Sequence, residues 1–498
     1  MLVRELLIRQ RFNDNIAIKQ GENQITYSEL FTKSVYLMET LMKKSNPLKN
    51  VGIFLPNSIN YVIGYFGITF ANLIIVPIDV HAKPNEISSM ITRYDIGIIV
   101  SDSSNIKNVL EKIEHFETSD CIVNIDSEQS YGDIIHNNRL FEFDTGVMED
   151  DVALILQSSG TTSIQKGVML THENLISNVQ SNIDSHGFSS KEKTLILLPM
   201  CFSYCNTAQF LTHVYVGAEI VIYDRIRTGK GILEMIEDEG ITNFSCVPFI
   251  LLMFNKIESL SEYKLQKLSR IFFGAGFMPP DKLSDLLIKF KAIDFIHTYG
   301  LTEAGPRVSS LYVRRDFSKP GSVGKPLEDV KVKITDDADF EMEDDNVSNK
   351  VGELLVSSKS VMKGYYNDAE STNKTLRQGW LYTGDIAEID DDGFIYIKGR
   401  KKNIINSGGM VIHPEEIEKV LLNYPSVNKA LVYAKKHDLL MEIPVAKVVL
   451  HDAINEIDAI SNIRKHCVNH LACHKVPYEI EIVDALDETE SGKIKRYY

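Results

Sequence analysis

"VALILQSSGTTSIQKG", residues 152–167, runs an apolar strand-like segment into a loop whose side chains have almost nothing to pack. Val152 to Leu156 reads as a buried strand. Ser158 to Ser163 are Ser, Thr and Gly throughout, and Lys166 and Gly167 follow shortly after. Small residues let a backbone approach an anion, their N–H and hydroxyl groups supply donors, and Lys166 adds a positive charge. The stretch therefore reads as a phosphate-holding loop. A flexible Ser/Gly linker is the weaker reading, because a linker seldom interrupts a βα pattern between apolar segments. An ordinary P-loop is excluded: it needs Gly before its Lys and Ser or Thr after it, and Lys166 stands between Gln165 and Gly167.

Outward from this loop, short β-rich runs alternate with helical patterns through the first 300 residues. "IGIIV" (96–100), "TLILLP" (194–199), "EIVIY" (219–223) and "RIFFGAG" (270–276) are examples. That alternation predicts an α/β fold with parallel sheets flanked by helices, and ligands in such sheets sit at the carboxyl ends of the strands. No charged residue occurs from Val51 to Ile78, a length that satisfies a membrane span. Pro56, Asn57, Asn60, Asn72 and Pro77 break it, so it divides into a strand (Val51–Leu55), a buried helix (near Ile59–Ala71) and a strand (Leu73–Ile78). After about residue 320 strands alternate with charged connections. The acidic tract Asp336–Asp345 reads as a solvated hairpin end, and Asp392-Gly393 is the turn of a hairpin across 386–400. Pro414 suits a first helical position, with Ile417, Val420 and Leu421 as the apolar face that follows.

The whole is expected to be a large N-terminal domain, residues 1–401, of helix-flanked β-sheets plus a β-barrel-like part. A small mobile α+β C-terminal domain, residues 402–498, follows. A chain of 498 residues is long enough for two or three domains. The formal charge of −15 argues against a nucleic-acid binder. Six cysteines without a CxxC pair or zinc spacing read as reduced thiols of a cytoplasmic protein. The N-terminus has no signal-peptide pattern, and no transmembrane segment is expected.

Three further stretches carry chemistry. In "IHTYGLTEAG" (296–305), Tyr299 can stack on a base, Thr302 can donate to a phosphate and Glu303 can hold a hard cation. In "GWLYTGDIAEID" (379–390), Asp385 follows a Gly, where a carboxylate can accept from vicinal ribose hydroxyls. Near the end, "ETESGKIKR" (488–496) carries Lys493, which alone reads as a solvated tail lysine. Each is weak alone. In order, however, "SSGTTSIQKG", "YGLTE", "YTGD…GR" and "SGKIKR" strongly resemble the adenylate-forming superfamily of acyl- and aryl-CoA synthetases, nonribosomal-peptide adenylation domains and luciferases. The pattern is closest to acyl-CoA synthetases. The resemblance covers nearly the whole chain, including "GELLVSSKSVMKGYY" (352–366) and "SGGMVIHPEEIE" (407–418).

The resemblance implies a site. Ser158, Ser159, Gly160, Thr161, Thr162, Ser163 and Lys166 would cradle the β- and γ-phosphates of ATP. Gly274, Ala275 and Gly276, with Tyr299 and Gly300, would enclose adenine, and His297 would meet its edge. Thr302 would touch the α-phosphate and Glu303 would bind Mg²⁺. Asp385 and Arg400 would hold the ribose. Lys493 would bridge the carboxylate and α-phosphate oxygens, making it catalytic together with Thr302 and Glu303. In the second half-reaction the small domain would swing about Lys402, and Gly408 and Gly409 would line the tunnel of the thiol.

The segment "LPMCFSYCN" (198–206) departs from the family. Phe202 stands where many CoA synthetases have a His, and no Asp is present near Ser203 to hold an α-ammonium. The expected substrate is therefore an acyl or aryl acid without an α-amine, with Phe202, Tyr204 and Cys205 lining its pocket. The implied function is ATP-dependent formation of an acyl-AMP with pyrophosphate release, then transfer to CoA. The rivals are transfer to the phosphopantetheine of an acyl or peptidyl carrier protein and an inactive nucleotide-binding homologue. A homodimer is left open.

Overall fold

The computed structural model describes residues 1–44, 50–108, 113, 121–126, 143, 146–158, 166–223, 228–260, 262–276, 278, 280–335, 351–400, 405–412, 414–451 and 456–486. Two large mixed sheets dominate the first 330 residues. A seven-stranded sheet runs Gly364–Tyr365, Lys166–Thr171, Val152–Ser158, Ile74–Pro77, Asn50–Phe54, Ile96–Ser101, Ile122–Asn124. Its strands are parallel from Val152–Ser158 onward and antiparallel before it. A nine-stranded sheet runs Lys325–Pro326, Gly305–Tyr312, Asp294–Leu301, Arg270–Phe273, Asn243–Cys246, Lys193–Ile196, Glu219–Ile222, Ile16–Gln20, Asn23–Thr26. It is parallel in the middle and antiparallel at both edges.

The uncharged stretch after Val51 forms a strand (Asn50–Phe54), a helix (Ile59–Phe70) and a strand (Ile74–Pro77). Ser58 caps the helix by accepting from the Tyr61 amide at 3.0 Å. Tyr61 to Phe70 are all buried, because the helix shares one apolar core with side chains of both large sheets. Among the described residues no helix is long and apolar enough to cross a membrane.

Two readings of local structure change. The strand expected over 194–199 ends at Ile196, and Leu198 and Pro199 leave the sheet to line a cavity. The Ser/Thr/Gly loop joins two antiparallel strands, paired Gln157 with Gly167 and Ser158 with Lys166, rather than a strand and a helix. Val168 and Leu170 alternate inward, a period-two pattern too short to distinguish from the helix that starts at His172.

An antiparallel sheet follows in the order Lys331–Thr335, Val351–Ser357, Trp380–Ile389, Leu376–Arg377, with Ile395–Arg400 pairing Trp380–Ile389. It is the curled, half-barrel part, and its hairpin turns at Asp392-Gly393 as expected. The acidic tract Asp336–Asp345 lies outside the described residues. The last sheet runs Met410–Ile412, Ile405–Ser407, Met441–Leu450, Val427–His437, and Glu479–Ile482 pairs parallel with Met441–Leu450. Helices Pro414–Leu422 and Glu456–His470 cover it, with Ile417, Leu421 and Ile463 fully buried in its separate core.

Backbone hydrogen bonds fasten the half-barrel to the edge of the nine-stranded sheet around Gly324. Val323 donates to the Ile395 carbonyl at 2.8 Å, Ile395 donates to the Gly324 carbonyl at 2.9 Å, and Ser322 Oγ donates to the Ile395 carbonyl at 2.8 Å. Gly324 has φ +90°, and a Cβ there would lie 1.9 Å from the Ser310 carbonyl oxygen. Neither the backbone angle nor the space admits a side chain. Gly324→Ala is expected to lower stability by about 2 kcal/mol, read as a lower urea midpoint; an unchanged midpoint would contradict this junction.

Candidate active site

A cavity of about 2120 Å³ opens where the carboxyl ends of the large sheets meet the half-barrel and the C-terminal sheet. Ser158, Lys166, Phe202, Tyr204, Cys205, Ala275, Gly276, His297, Tyr299, Gly300, Thr302, Glu303, Asp385, Gly408 and Gly409 all line it. Gly274 is at the exit of strand Arg270–Phe273, where a Cβ would lie 2.4 Å from the Thr298 carbonyl oxygen. Arg400 ends strand Ile395–Arg400, in register with Asp385. Ser159, Gly160, Thr161, Thr162, Ser163, Lys402 and Lys493 lie outside the described residues.

The lining residues are tied to one another. The Tyr299 hydroxyl donates to Asp385 Oδ2 at 2.5 Å, joining the nine-stranded sheet to the half-barrel. Asp385 follows a turn held by Glu353, whose Oε1 accepts from the Gly384 amide at 2.9 Å, and its own amide donates to Thr383 Oγ1 at 3.1 Å. Lys166 Nζ lies 4.6 Å from the centroid of the Tyr365 ring, and the Tyr365 hydroxyl donates to Glu303 Oε1 at 3.0 Å. Burial and the adjacent Glu303 carboxylate raise the Tyr365 hydroxyl above its ordinary pKa, so it remains a donor. Tyr365 and Glu353 were not singled out from sequence. Both lie within "GELLVSSKSVMKGYY", but nothing in the spacing says that residues 303 and 365 will meet.

His297 stacks parallel on Phe273 with centroids 4.7 Å apart, and its Nδ1 lies 3.1 Å from the Ser322 carbonyl. That carbonyl assigns the proton to Nδ1 and leaves Nε2 as an acceptor. Loss of hydration depresses its pKa to about 4, so the ring is neutral at pH 7. Phe202, at the cavity mouth, is 38% exposed. Cys205 is fully buried and its thiol is pushed up by burial, as is that of Cys201; neither is a thiolate nucleophile. The helical turn Ser203–Cys205 widens into a π-helix over Asn206–Leu211, a rare geometry that favours functional sites.

The C-terminal sheet reaches the cavity through its Gly-Gly turn. Gly409 has φ +84°, and a Cβ there would lie 2.4 Å from Val247 Cγ1, a residue of the cavity wall. A Cβ on Gly276 would lie 3.4 Å from Met441 Sδ. Lys475, only 7% exposed, bridges Glu416 at 2.7 Å and Glu86 at 3.6 Å, so an ion pair also joins the two parts.

One cavity thus gathers a tyrosine bonded to a carboxylate of the half-barrel, a lysine and a glutamate joined through Tyr365, and a Gly-Gly turn at the rim. Residues 8–366 match the AMP-binding enzyme family and residues 416–493 its C-terminal domain. The chain belongs to this family of AMP-binding enzymes. It is 32% identical over 461 residues to a 4-coumarate–CoA ligase of Pinus taeda, covering 90% of this chain and 83% of that one. It superposes with TM-score 0.87 and 25% identity on a double mutant of the o-succinylbenzoate-CoA synthetase of Bacillus subtilis bound to a product analogue, covering 99% and 96% of the two chains. On the AMP complex of that synthetase the TM-score is 0.70, at 25% identity and 98% and 96% coverage. The chain is accordingly an AMP-forming acid–thiol ligase: it uses ATP and Mg²⁺ to make an acyl-adenylate and CoA to form the thioester.

The depressed His297 has a consequence for stability. Its folded pKa of about 4 lies below the ordinary 6.5, so between those values the unfolded chain binds a proton that the folded chain refuses. Stability from this group is whole above pH 6.5 and is lost as pH falls toward 4. His172 and His213, also held near 4 by burial, act in the same direction. The urea midpoint is expected to fall between pH 6.5 and 4.5, with a shallower slope for His297→Gln; identical slopes would contradict a neutral, buried His297.

Proposed function

We propose that the acid is an acyl or aryl carboxylic acid without an α-amino group. The wall from Phe202 to Cys205 carries no carboxylate, so a buried α-ammonium would have no partner there. The carboxylate oxygen attacks the α-phosphorus of ATP, and the bond to pyrophosphate breaks. Repulsion between anions dominates that barrier, so the residues needed are donors and cations rather than a base. Ser158 and Lys166, with the loop between them, take the β- and γ-phosphates, and Thr302 donates to the α-phosphate. Gly274 to Gly276, His297 and Tyr299 hold adenine; Asp385 and Arg400 hold the ribose. Glu303, with one oxygen engaged by Tyr365, retains acceptor capacity for Mg²⁺, which supplies neutralisation of phosphate charge. Lys493 bridges the two reacting groups.

The observation that carries the thiol half is the Gly408-Gly409 turn seated against Val247 on the cavity wall. A glycine pair leaves room for a pantetheine arm that any side chain would fill. The closer superposition on the product-analogue form than on the AMP form supports the same arrangement. The small module then swings about Lys402 to bring Lys493 in for adenylation. Free cysteines, including the exposed Cys473, support a cytoplasmic setting.

ATP–pyrophosphate exchange over a panel of carboxylic acids tests the reading. Exchange with at least one acyl or aryl acid is expected, and exchange with none would overturn it. Lys493→Ala should reduce exchange by at least about 100-fold while transfer from supplied acyl-adenylate to CoA stays within about tenfold of wild type. Equal loss in both half-reactions would remove the role from Lys493, and transfer to a carrier protein in place of CoA would reassign the acceptor.

A further inference from the structure

The joint between the large domain and the small module holds a charge cluster that the chemistry above does not use. Lys475 stands on the short turn Cys473–Lys475, and its Nζ lies 2.7 Å from Glu416 Oε1 and 3.6 Å from Glu86 Oε1. Glu416 belongs to the first turn of helix Pro414–Leu422 in the module, and Glu86 to the first turn of helix Pro84–Arg93 in the large domain. All three line the cavity where the two parts meet.

Each carboxylate is fixed within its own part. Glu86 Oε2 accepts from the Lys83 amide at 2.8 Å, capping the start of its helix, which leaves Oε1 turned to the lysine. Lys475 Nζ donates to Glu416 Oε1, a contact inside the module. Arg464, on helix Glu456–His470, donates to the Pro477 and Tyr478 carbonyls at 2.8 and 2.9 Å and so holds the chain just after Lys475. A swing of the module would leave the cap on Glu86 and the bond to Glu416 intact, and would part Lys475 from Glu86.

The approaches of Gly409 to Val247 and of Gly276 to Met441 across the same joint are apolar, and apolar contact has no direction. The charged leg does have one, because the ammonium must come between two carboxylates. Loss of hydration raises the Glu86 carboxyl above its ordinary range, with Lys475 and the Lys83 amide opposing the rise. The attraction thus offsets part of the cost of covering Glu86. The leg selects one orientation of the module without locking it.

We propose that Lys475 is a positioning residue for the thiol half-reaction: seated between Glu416 and Glu86, it selects the docking of the module in which CoA is acylated. The inference rests on the reading of this docking as the thioester-forming one. Without the ammonium, Glu86 and Glu416 face each other and this docking is lost, whereas adenylation uses another docking and is untouched.

The test separates the half-reactions in the full chain, with an acid that supports ATP–pyrophosphate exchange. Lys475→Glu sets a third carboxylate beside Glu86 and Glu416. It should slow transfer from supplied acyl-adenylate to CoA by at least about tenfold, while exchange stays within about threefold of wild type. Adding Glu86→Lys restores an ammonium between two carboxylates in reversed order, and should return transfer to within about threefold of wild type. Residue 86 belongs to the large domain and cannot repair a defect confined to the module, so a merely structural Lys475 would not give this recovery. Undiminished transfer in Lys475→Glu overturns the proposal, as does equal loss in both half-reactions or a loss that Glu86→Lys leaves uncorrected. If Lys475→Glu does not fold, Lys475→Met takes its place. Glu86→Gln, which relieves the facing carboxylates, should then recover transfer by at least about threefold, and no recovery overturns the proposal. Intact exchange with undiminished transfer ends this proposal alone; no exchange with any acid in wild type ends the ligase reading with it.

Discussion

A carboxylate and a triphosphate repel each other, and the architecture around the cavity answers that constraint. No single element holds enough positive charge and enough donors to bring the two together, so they come from separate parts of the chain. Lys166 begins a strand of one large sheet, Tyr299 lies near the end of a strand of the other with Glu303 in the turn that follows, and Asp385 belongs to the half-barrel. Two short connections keep them in register: Lys166 to Tyr365 to Glu303, and Tyr299 to Asp385. Each links groups of different elements, so this arrangement of the cavity exists only when all three layers are packed. The Gly324 junction, with its fully enclosed backbone, fixes the half-barrel against the second sheet.

The small module adds a second use of the same cavity. Its Gly-Gly turn occupies the rim at Val247, and Lys475 bridges Glu416 of its own helix to Glu86 of the large domain. Removal of that lysine would leave two carboxylates facing one another, so the bridge favours this docking while it lasts and opposes it if broken.

Much of this was legible before any coordinates. Ser158, the Tyr-Gly-Leu-Thr-Glu turn and Asp385 belong to local signals, and each lies on the cavity. The uncharged stretch after Val51 divided correctly because Pro and Asn mark its breaks. What the sequence hid was long-range. The pairing of the strands on either side of the Ser/Thr/Gly run was hidden by a strand of six residues beside a helix start. Tyr365 and Glu353 act through partners tens of residues away. Arg307 reads as an ordinary strand charge, and only tertiary packing shows that it is buried. The π-helical turn after Cys205 leaves no composition signal at all.

In the proposed cycle, one docking of the small module serves thioester formation and excludes adenylation. Cysteines placed at Glu86 and Lys475, in a Cys473→Ser background, can be joined by a short cleavable bismaleimide to hold that docking. The account predicts that the joined protein loses ATP–pyrophosphate exchange, still passes a supplied acyl-adenylate to CoA, and regains exchange on cleavage. Undiminished exchange in the joined protein, or loss of both half-reactions with recovery of both on cleavage, would contradict it.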